Sequence, residues 1–179
     1  MKFVRQTLEG VYVIEPESFT DERGLFRRHF CRRELAAHGI DIEVKQANVS
    51  ENPAMHTLRG LHFQRPPYGE SKILSCVKGG LYNVIVDLRA DSSTYLQWMS
   101  VELSDRNRLS VYVPQGCANG WITTQHDTWV HYYHSEFYQP KAEAGIRYND
   151  PFFRFAWPAE PAVISDKDRA HPDFSPARV

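Results

Sequence analysis

The sequence predicts an all-β domain, organised as a sandwich, a jelly roll or a barrel. Short apolar runs recur from residue 41 onwards, and turn-forming residues separate them. Eleven prolines, ten glycines and an aromatic content of 13% favour strands joined by many turns. Almost no helical periodicity lies between the runs, which argues against a regular alternation of strands and helices.

The first forty residues predict two strands, a loop and the one convincing helix. Residues 1–15 read as two short strands, of which Val11 to Ile14 is the clearer. In residues 19–26 a polar turn with Gly24 separates apolar side chains, so we expect this loop to pack over the domain. Residues 32–39 predict one or two helical turns that end at Gly39.

The rest of the chain predicts a series of strands followed by a wrapping tail. Residues beyond 139 read as loops and short helical pieces that cover the sheets. No internal repeat or linker interrupts the pattern, so we expect one domain over residues 1–179. The predicted strands lie near residues 42–50, 57–64, 70–78, 80–88, 97–104, 109–114, 118–124 and 127–138.

Charge and cysteine content exclude several classes of function. The formal net charge is −1, with 21 basic and 22 acidic residues, so no bulk field attracts nucleic acid or an anionic membrane. Three widely spaced cysteines argue against a disulfide framework or structural zinc and fit a reducing compartment. Because no segment resembles a signal peptide or a membrane span, we expect a cytoplasmic protein.

The histidine pattern argues against a metal centre. Jelly-roll proteins of the cupin type often bind a metal through two histidines two residues apart on a strand, with a third histidine in a later motif. Here His62 is followed by Gln64, and the later region ends in Asn119. One imidazole of three remains, so we predict neither a metal nor another cofactor.

The remaining groups suit acid–base chemistry. A neutral imidazole at His62 is a suitable base near pH 7, and the phenol of Tyr132 is a suitable acid. Lys72 can stabilise a developing enolate oxygen, and a carboxylate such as Asp168 can orient the histidine. Each residue alone could also be structural. Strand parity puts Arg59 opposite His62, so either Gly60 marks an irregularity or Arg59 serves another surface.

A series of motifs in order then resembles one family over nearly the whole chain. The motifs are Phe19-x-Asp21-x-Arg23-Gly24-x-Phe26, Gln46-x-Asn48-x-Ser50, Arg59-Gly60-Leu61-His62-Phe63-Gln64, Val86-Asp87-Leu88-Arg89, Tyr138-x-Pro140, Asn149-Asp150-Pro151, Trp157-Pro158 and Ser165-x-Lys167-Asp168. With these motifs the chain is similar to the dTDP-4-dehydrorhamnose 3,5-epimerase family, the RmlC-like branch of the cupins.

The resemblance implies a cupin-type jelly roll of two packed antiparallel sheets, with a few short helices at the periphery. It implies a homodimeric isomerase of deoxysugar biosynthesis that inverts C3, C5 or both of a nucleotide-linked 4-keto-6-deoxy sugar, without metal. By resemblance, His62 is the base, Asp168 its acidic partner, Tyr132 the proton donor and Lys72 the enolate-side cation. Nucleotide and sugar contacts map onto Arg23, Gln46, Asn48, Arg59, Glu143 and Lys167.

Four positions depart from the family pattern. Asn119 and Asn83 replace a histidine and an aspartate, and could form a neutral amide pair. Arg28 stands where the family has a nucleotide-contacting glutamate, and Trp121 replaces a phenylalanine. We expect Arg28 and Asn119 to contact the substrate and to affect which nucleotide or sugar is used.

Three other functions remain open from the sequence. One is a nucleotide-sugar 3,4-ketoisomerase on the same scaffold. Another is a cupin that binds a sugar nucleotide but has lost catalysis, which the two asparagines suggest. The third is a metal-dependent cupin enzyme, which the missing ligands disfavour.

Overall fold

Two antiparallel sheets pack face to face in the computed structural model, which describes residues 1–176. The last three residues of the domain predicted over 1–179 lie outside this range. The elements are β1 Lys2–Arg5, β2 Tyr12–Glu15, β3 Ser18–Asp21, β4 Gly24–Arg27, α1 Arg32–Ala36, β5 Gln46–Asn52, β6 Thr57–Gln64, β7 Lys72–Lys78, β8 Gly80–Asp87, β9 Trp98–Ser104, β10 Ser110–Val113, β11 Cys117–Thr123, β12 Thr128–His134, β13 Glu143–Gly145, β14 Val163–Ile164 and α2 Asp166–Arg169.

The strand order explains how distant segments meet. The first sheet runs β1-β2-β10-β7-β12-β5, and the second runs β13-β6-β11-β8-β9, with β14 added parallel to β6. β3 and β4 form a separate two-stranded hairpin. The all-β jelly roll expected from the sequence is confirmed.

The core lies between the sheets because alternate side chains of each strand point inwards. Leu74 and Val130 from the first sheet pack with Ile85, Leu103 and others from the second, all fully buried. Burial of each such side chain stabilises the fold by roughly 1.5–3 kcal/mol. The outer faces are covered as well: α1 and residues 40–42 cover the first sheet, and the tail after β13 covers the second.

Most predicted elements are confirmed within a few residues, and one expectation is wrong. The helix ends at Ala36, and Gly39 follows it with a φ of 75°. Residues 18–27 form a hairpin that was not predicted, and its aromatic side chains do not pack over the domain. Phe19 is 66% exposed and Phe26 is 70% exposed. The apolar residues around the polar turn therefore face away from the core of this chain.

An irregularity in β6 explains how Arg59 and His62 can face the same side of the strand. On β11, Asn119 pairs with His62 and Trp121 pairs with Arg59, so β6 holds one extra residue over this interval. Gly60 accommodates it with a φ of 116°, and a Cβ there would lie 2.5 Å from the Cα of Gly120. Arg59 and His62 consequently line the same cavity although they are three residues apart.

Among residues 1–176, no helix has the length and apolar character needed to cross a membrane.

Candidate active site

His62 and Asp168 form a hydrogen-bonded imidazole–carboxylate pair, in which the carboxylate is buried and the imidazole is partly exposed. The imidazole Nε2 of His62 lies 2.6 Å from Oδ1 of Asp168, a residue that is only 4% exposed. Short helix α2 supplies the carboxylate, and the hydroxyl of its N-cap Ser165 accepts the backbone N–H of Asp168. Oδ2 accepts the backbone N–H of Gly60 at 3.1 Å. With Nε2–H donated to the carboxylate, Nδ1 of His62 is left as the basic nitrogen.

The environment keeps Asp168 ionised. Burial by itself would raise the pKa of Asp168, but the hydrogen bond and charge of His62 and the amide of Gly60 lower it further than burial raises it. The result is a pKa below the ordinary value. A carboxylate that remains charged orients the imidazole and stabilises its protonated form.

His62 and Asp168, together with His171, form a group of side chains of the kinds that bind metal ions. The ligand atoms of His62, Asp168 and His171 lie within 4.8 Å of one another. A tetrahedral ion with bonds of about 2.1 Å would hold its ligand atoms about 3.4 Å apart. His62 and Asp168 are in direct contact instead, so their arrangement fits a hydrogen-bonded pair and not an ion centre. The absence of a metal or other cofactor stays a prediction.

Gln64, at the position where a second metal-binding histidine would be needed, has a structural role. Its amide nitrogen donates to the carbonyls of Tyr68 and Phe137, and its oxygen accepts the N–H of Gln139 at 2.6 Å. These bonds hold the segment that follows β12 against β6.

Lys72 is held by a carboxylate that the sequence did not single out. Glu70 accepts from Lys72 Nζ and from His134 Nδ1, each at 2.9 Å, and the side chains of Lys72 and Glu70 are each only 10% exposed. Burial opposes the charge of Glu70, but its hydrogen bonds with His134 and Lys72 prevail and hold its pKa at about 2. Glu70 lies two residues before Lys72, a spacing that puts both side chains on one face of an extended chain.

Tyr132 comes from the sheet opposite His62. Trp121 Nε1 donates a hydrogen bond of 2.6 Å to the phenolic oxygen, and the ring stacks on His134 with centroids 5.6 Å apart. Burial raises the pKa of Tyr132, although the Trp121 hydrogen bond and the charge of Arg59 act in the lowering direction. The phenol is therefore protonated at neutral pH and can donate a proton.

Two cavities meet at His62 and Glu143. One, of about 210 Å³, also contacts Lys72, His134 and Tyr138; the other, of about 350 Å³, contacts Asp168 and the β14 segment. Tyr132 itself is not among their lining residues, but its neighbours Arg59 and His134 are. The structure also brings to these cavities most of the substrate-binding residues expected from the sequence: Gln46, Asn48, Arg59, Glu143 and Lys167.

Glu143 is the charged junction between the two cavities. It accepts from the hydroxyl of Tyr138 at 2.6 Å and forms an ion pair with Lys167. Burial would raise the pKa of Glu143, but its hydrogen bonds with Lys167 and Tyr138 lower it below its usual value. In the cavity that contains Asp168, the site therefore combines the cations Arg59 and Lys167 with the fixed negative charge of Glu143.

Two expected substrate contacts lie elsewhere in this chain. Arg23 is at the tip of the β3–β4 hairpin, where its side chain is 84% exposed and pairs with Asp21. Arg28 follows the hairpin and binds Glu34 at 2.7 Å. Neither lines a cavity that contains His62.

The expected amide pair is present beside the base. Asn119 donates to the side-chain oxygen of Asn83 at 2.6 Å and to the carbonyl of Val84 at 3.2 Å. Both asparagines are buried, and Asn83 Nδ2 has no hydrogen-bond partner among residues 1–176. Asn119 is also the β11 residue in register with His62. Both side chains are neutral, so the pair adds no charge beside His62, and Asn119, an expected substrate contact, lines neither cavity that contains His62.

Comparisons with known proteins find relatives that are similar over nearly the whole chain. A family model described as dTDP-4-dehydrorhamnose 3,5-epimerase matches residues 5–176. The chain is 38% identical to the dTDP-4-dehydrorhamnose 3,5-epimerase of Methanothermobacter thermautotrophicus, covering 94% of this chain and 91% of the relative. It is 37% identical to the Mycobacterium tuberculosis protein of that name, covering 100% and 90%.

Solved structures are similar over the same length. The crystal structure of dTDP-4-dehydrorhamnose 3,5-epimerase from Bacillus anthracis with TDP and PPi bound has a TM-score of 0.93 and 35% identity, covering 97% of this chain and 99% of that one. ChmJ, a 3'-monoepimerase from Streptomyces bikiniensis in complex with dTDP-quinovose, has a TM-score of 0.86 and 30% identity, covering 94% and 85%.

Proposed function

The chain belongs to the dTDP-4-dehydrorhamnose 3,5-epimerase family of isomerases, and on that premise we propose how it acts on its substrate. It inverts C3, C5 or both of a dTDP-linked 4-keto-6-deoxy sugar by proton abstraction and return, without a metal. The observation that carries this proposal is the 2.6 Å contact of His62 with Asp168 at the wall of a cavity, with Tyr132 supplied by the other sheet.

The first step is abstraction of a proton next to the ketone. His62 Nδ1 takes the proton from carbon, and the C–H electron pair moves into an enolate at C4. Asp168 stabilises the imidazolium that forms. Lys72, on the opposite sheet, supplies a positive charge to the developing oxygen, while Glu70 holds its ammonium group in place.

The second step returns a proton to the opposite face of the same carbon. The enolate electron pair forms the new C–H bond with the phenolic proton of Tyr132, and the C4 ketone re-forms. The Tyr132 phenolate then regains a proton from solvent, and the His62 imidazolium releases the abstracted proton to solvent. Base and acid come from facing sheets, β6 and β12, and this supports attack and return from opposite sides. The net reaction is inversion with no oxidation or reduction, so it requires no redox cofactor.

The diphosphate and the nucleoside occupy the remainder of the cavities. Arg59 and Lys167 supply the positive charge that a diphosphate requires. Gln46 and Asn48 on β5, with Glu143, provide polar contacts to the sugar and base, and Asn119 contributes a neutral amide near His62. Two similar crystal structures that hold TDP or dTDP-quinovose support a dTDP-linked substrate.

The test is turnover in D₂O, followed by NMR, across dTDP-, CDP- and GDP-linked 4-keto-6-deoxy sugars. We expect solvent deuterium at C3, C5 or both in the inverted product. His62→Asn and Asp168→Asn should lower the rate by at least about 100-fold. The matched control is His126→Asn, because that imidazole hydrogen-bonds to the backbone of Met55 and Pro53 and lines neither cavity that contains His62.

Three results would contradict the assignment. If the wild type incorporates no deuterium on any of these sugars, the proposed function is wrong. If His62→Asn retains full exchange, His62 is not the base. A product whose ketone has moved to C3 without inversion would identify a 3,4-ketoisomerase instead.

We also propose that the chain acts as a homodimer in the cytoplasm. The aromatic side chains of Phe19 and Phe26 are exposed on the β3–β4 hairpin and do not pack on their own domain. A second copy of the chain is a suitable partner for this apolar surface. Arg23, at the tip, would then reach the cavity of the partner and contact its nucleotide. Three free cysteines support a reducing compartment; they are Cys31, Cys76 and Cys117.

A further inference from the structure

Trp121 and Tyr132 form a short hydrogen bond between the two sheets. Trp121 lies on β11 and is 2% exposed, while Tyr132 lies on β12. The distance from indole Nε1 to the phenolic oxygen is 2.6 Å. An indole nitrogen can only donate, so the phenolic oxygen is the acceptor. The proton of Tyr132 is therefore not used in this contact and can point elsewhere.

This contact matters most after Tyr132 has lost its proton. A phenolate at this depth would be a buried charge, which is costly without donors. Trp121 is already in place to donate, and a hydrogen bond to an ionised oxygen is about twice as strong as one to a neutral oxygen. The bond therefore stabilises the phenolate more than the phenol.

We propose that Trp121 is a positioning residue for the proton-return step. It fixes the oxygen of Tyr132 through one lone pair, directs the phenolic proton towards the substrate, and stabilises the phenolate that remains. This inference rests on the proposed function, in which Tyr132 is the acid.

Other charged groups around Tyr132 do not replace this donor. Arg59 on β6 lowers the pKa of Tyr132 through its charge, but its Nε donates to Asn52 at 3.1 Å. On the same strand, His134 stacks on the ring and donates to Glu70, which also binds Lys72. Asn48, opposite Tyr132 on β5, is neutral. Trp121 is thus the donor that contacts the phenolic oxygen within the described structure.

Trp121→Phe tests the proposal because it keeps an aromatic ring and removes the N–H. Proton abstraction by His62 should continue, while return from the opposite face slows. In D₂O we expect the rate of inversion to fall by about 10- to 100-fold, as for loss of a hydrogen bond to a charged group. Exchange with retained configuration, through His62 alone, should stay nearly unchanged. An unchanged ratio of the two rates would overturn the proposal.

Trp98→Phe is the matched control. Its indole N–H donates to the carbonyl of Phe153 at 3.1 Å, away from the cavities that contain His62. This variant should lose a comparable hydrogen bond and some stability without changing the ratio of inversion to exchange. A similar change of ratio in both variants would mean that Trp121 acts only through packing.

A second measurement does not depend on a stable Trp121 variant. In the protein with ¹⁵N-labelled tryptophan, Tyr132→Phe should move the Nε1–H resonance of Trp121 upfield and speed its exchange with solvent. The Trp98 resonance should not move. If neither resonance responds, the hydrogen bond is not formed in solution and the proposal is wrong.

The two assignments can fail separately. If Tyr132→Phe retains full inversion, Tyr132 is not the acid and the proposed mechanism is wrong. If Tyr132→Phe abolishes inversion but Trp121→Phe leaves the ratio unchanged, only the role of Trp121 is wrong. In a Tyr132→Phe background, Trp121→Phe should produce no further loss of inversion, because the two act in one step.

Discussion

Glu70 makes the stability of this protein depend on pH. The folded pKa is about 2, against an ordinary value of 4.5, so the ionised form is favoured by folding. The contribution of ionised Glu70 to the free energy of unfolding is fully present above the unfolded pKa, and it is lost as pH falls from about 4.5 towards 2. We expect Glu70→Gln to lower the free energy of unfolding by on the order of 2 kcal/mol at pH 7.

Urea unfolding at pH 7, 5, 4 and 3, at one protein concentration, measures this effect. The difference between wild type and Glu70→Gln should shrink as the pH falls. Glu102→Gln is the control, because that side chain is exposed on β9 and should show little difference at any pH. A difference that does not vary with pH would exclude ionisation of Glu70 as its source.

The individual residues differ in how far the sequence predicts them. His62, Lys72, Tyr132 and Asp168 follow from the local motif and from chemical type. The contacts of Glu70 with His134 and of Trp121 with Tyr132 do not, because each depends on a partner from another strand. Trp121 meets Tyr132 only once β11 and β12 have entered different sheets. A pattern in one segment contains no information about that distance.

Among the elements, β6 depends most on a single glycine. Gly60→Ala would place a Cβ 2.5 Å from Gly120 Cα and 2.9 Å from the Asn119 carbonyl, at a φ of 116°. Neither neighbour is a flexible side chain, so the strand must shift. We expect a loss of at least about 2 kcal/mol of stability. Turnover should fall further, because the N–H of Gly60 also binds Asp168.

Gly24→Ala provides the comparison for that substitution. Gly24 has a nearly identical φ of 113°, but a Cβ there would meet nothing within 4 Å. Gly24→Ala therefore introduces the backbone strain of a positive φ without the steric clash that Gly60→Ala also causes. Urea unfolding of both variants, with turnover assayed well below the unfolding midpoint, separates the effects. Equal losses of stability would show that the close approach to Gly120 is unimportant.

Strand positions were more predictable than strand partners. Long alternating or apolar runs such as β6, β8 and β12 lie within a few residues of their predicted bounds. The short β13 and β14 were missed because they form by pairing with β6 and have little pattern of their own. The sequence predicts a packed loop where β3 and β4 form an exposed hairpin, because exposed and buried apolar residues look alike in sequence.

At the scale of the whole molecule, the site exists only because the two sheets close over it. Asp168 is 106 residues from His62, and Tyr132 belongs to the other sheet. The fold class could be predicted from the sequence, and His62 and Asp168 could be named as candidate partners, whereas their hydrogen bond forms only because the tail returns to β6. Arg23 and Arg28, which the sequence predicts as substrate contacts, do not reach the cavities that contain His62 in the same chain.

The proposed dimer provides a test of where Arg23 acts. Two inactive variants are mixed under conditions that exchange subunits: Arg23→Gln, which keeps His62, and His62→Asn, which keeps Arg23. If Arg23 serves the cavity of its partner, half of the dimers are mixed and each contains one complete site. Activity should then recover to about a quarter of the wild-type value. If Arg23 serves its own chain, no site is complete and mixing restores nothing.

The hairpin aromatics supply the independent arm of this test. Phe19→Ser combined with Phe26→Ser removes apolar surface that is otherwise exposed, so it should weaken the dimer and leave the folded monomer intact. Light scattering over a range of concentrations should detect monomer at concentrations where the wild type is dimeric. Turnover should fall in step with the dimer fraction, because each cavity would then lack the arginine of its partner. A monomeric variant with full activity would show that the cavity of one chain is sufficient by itself.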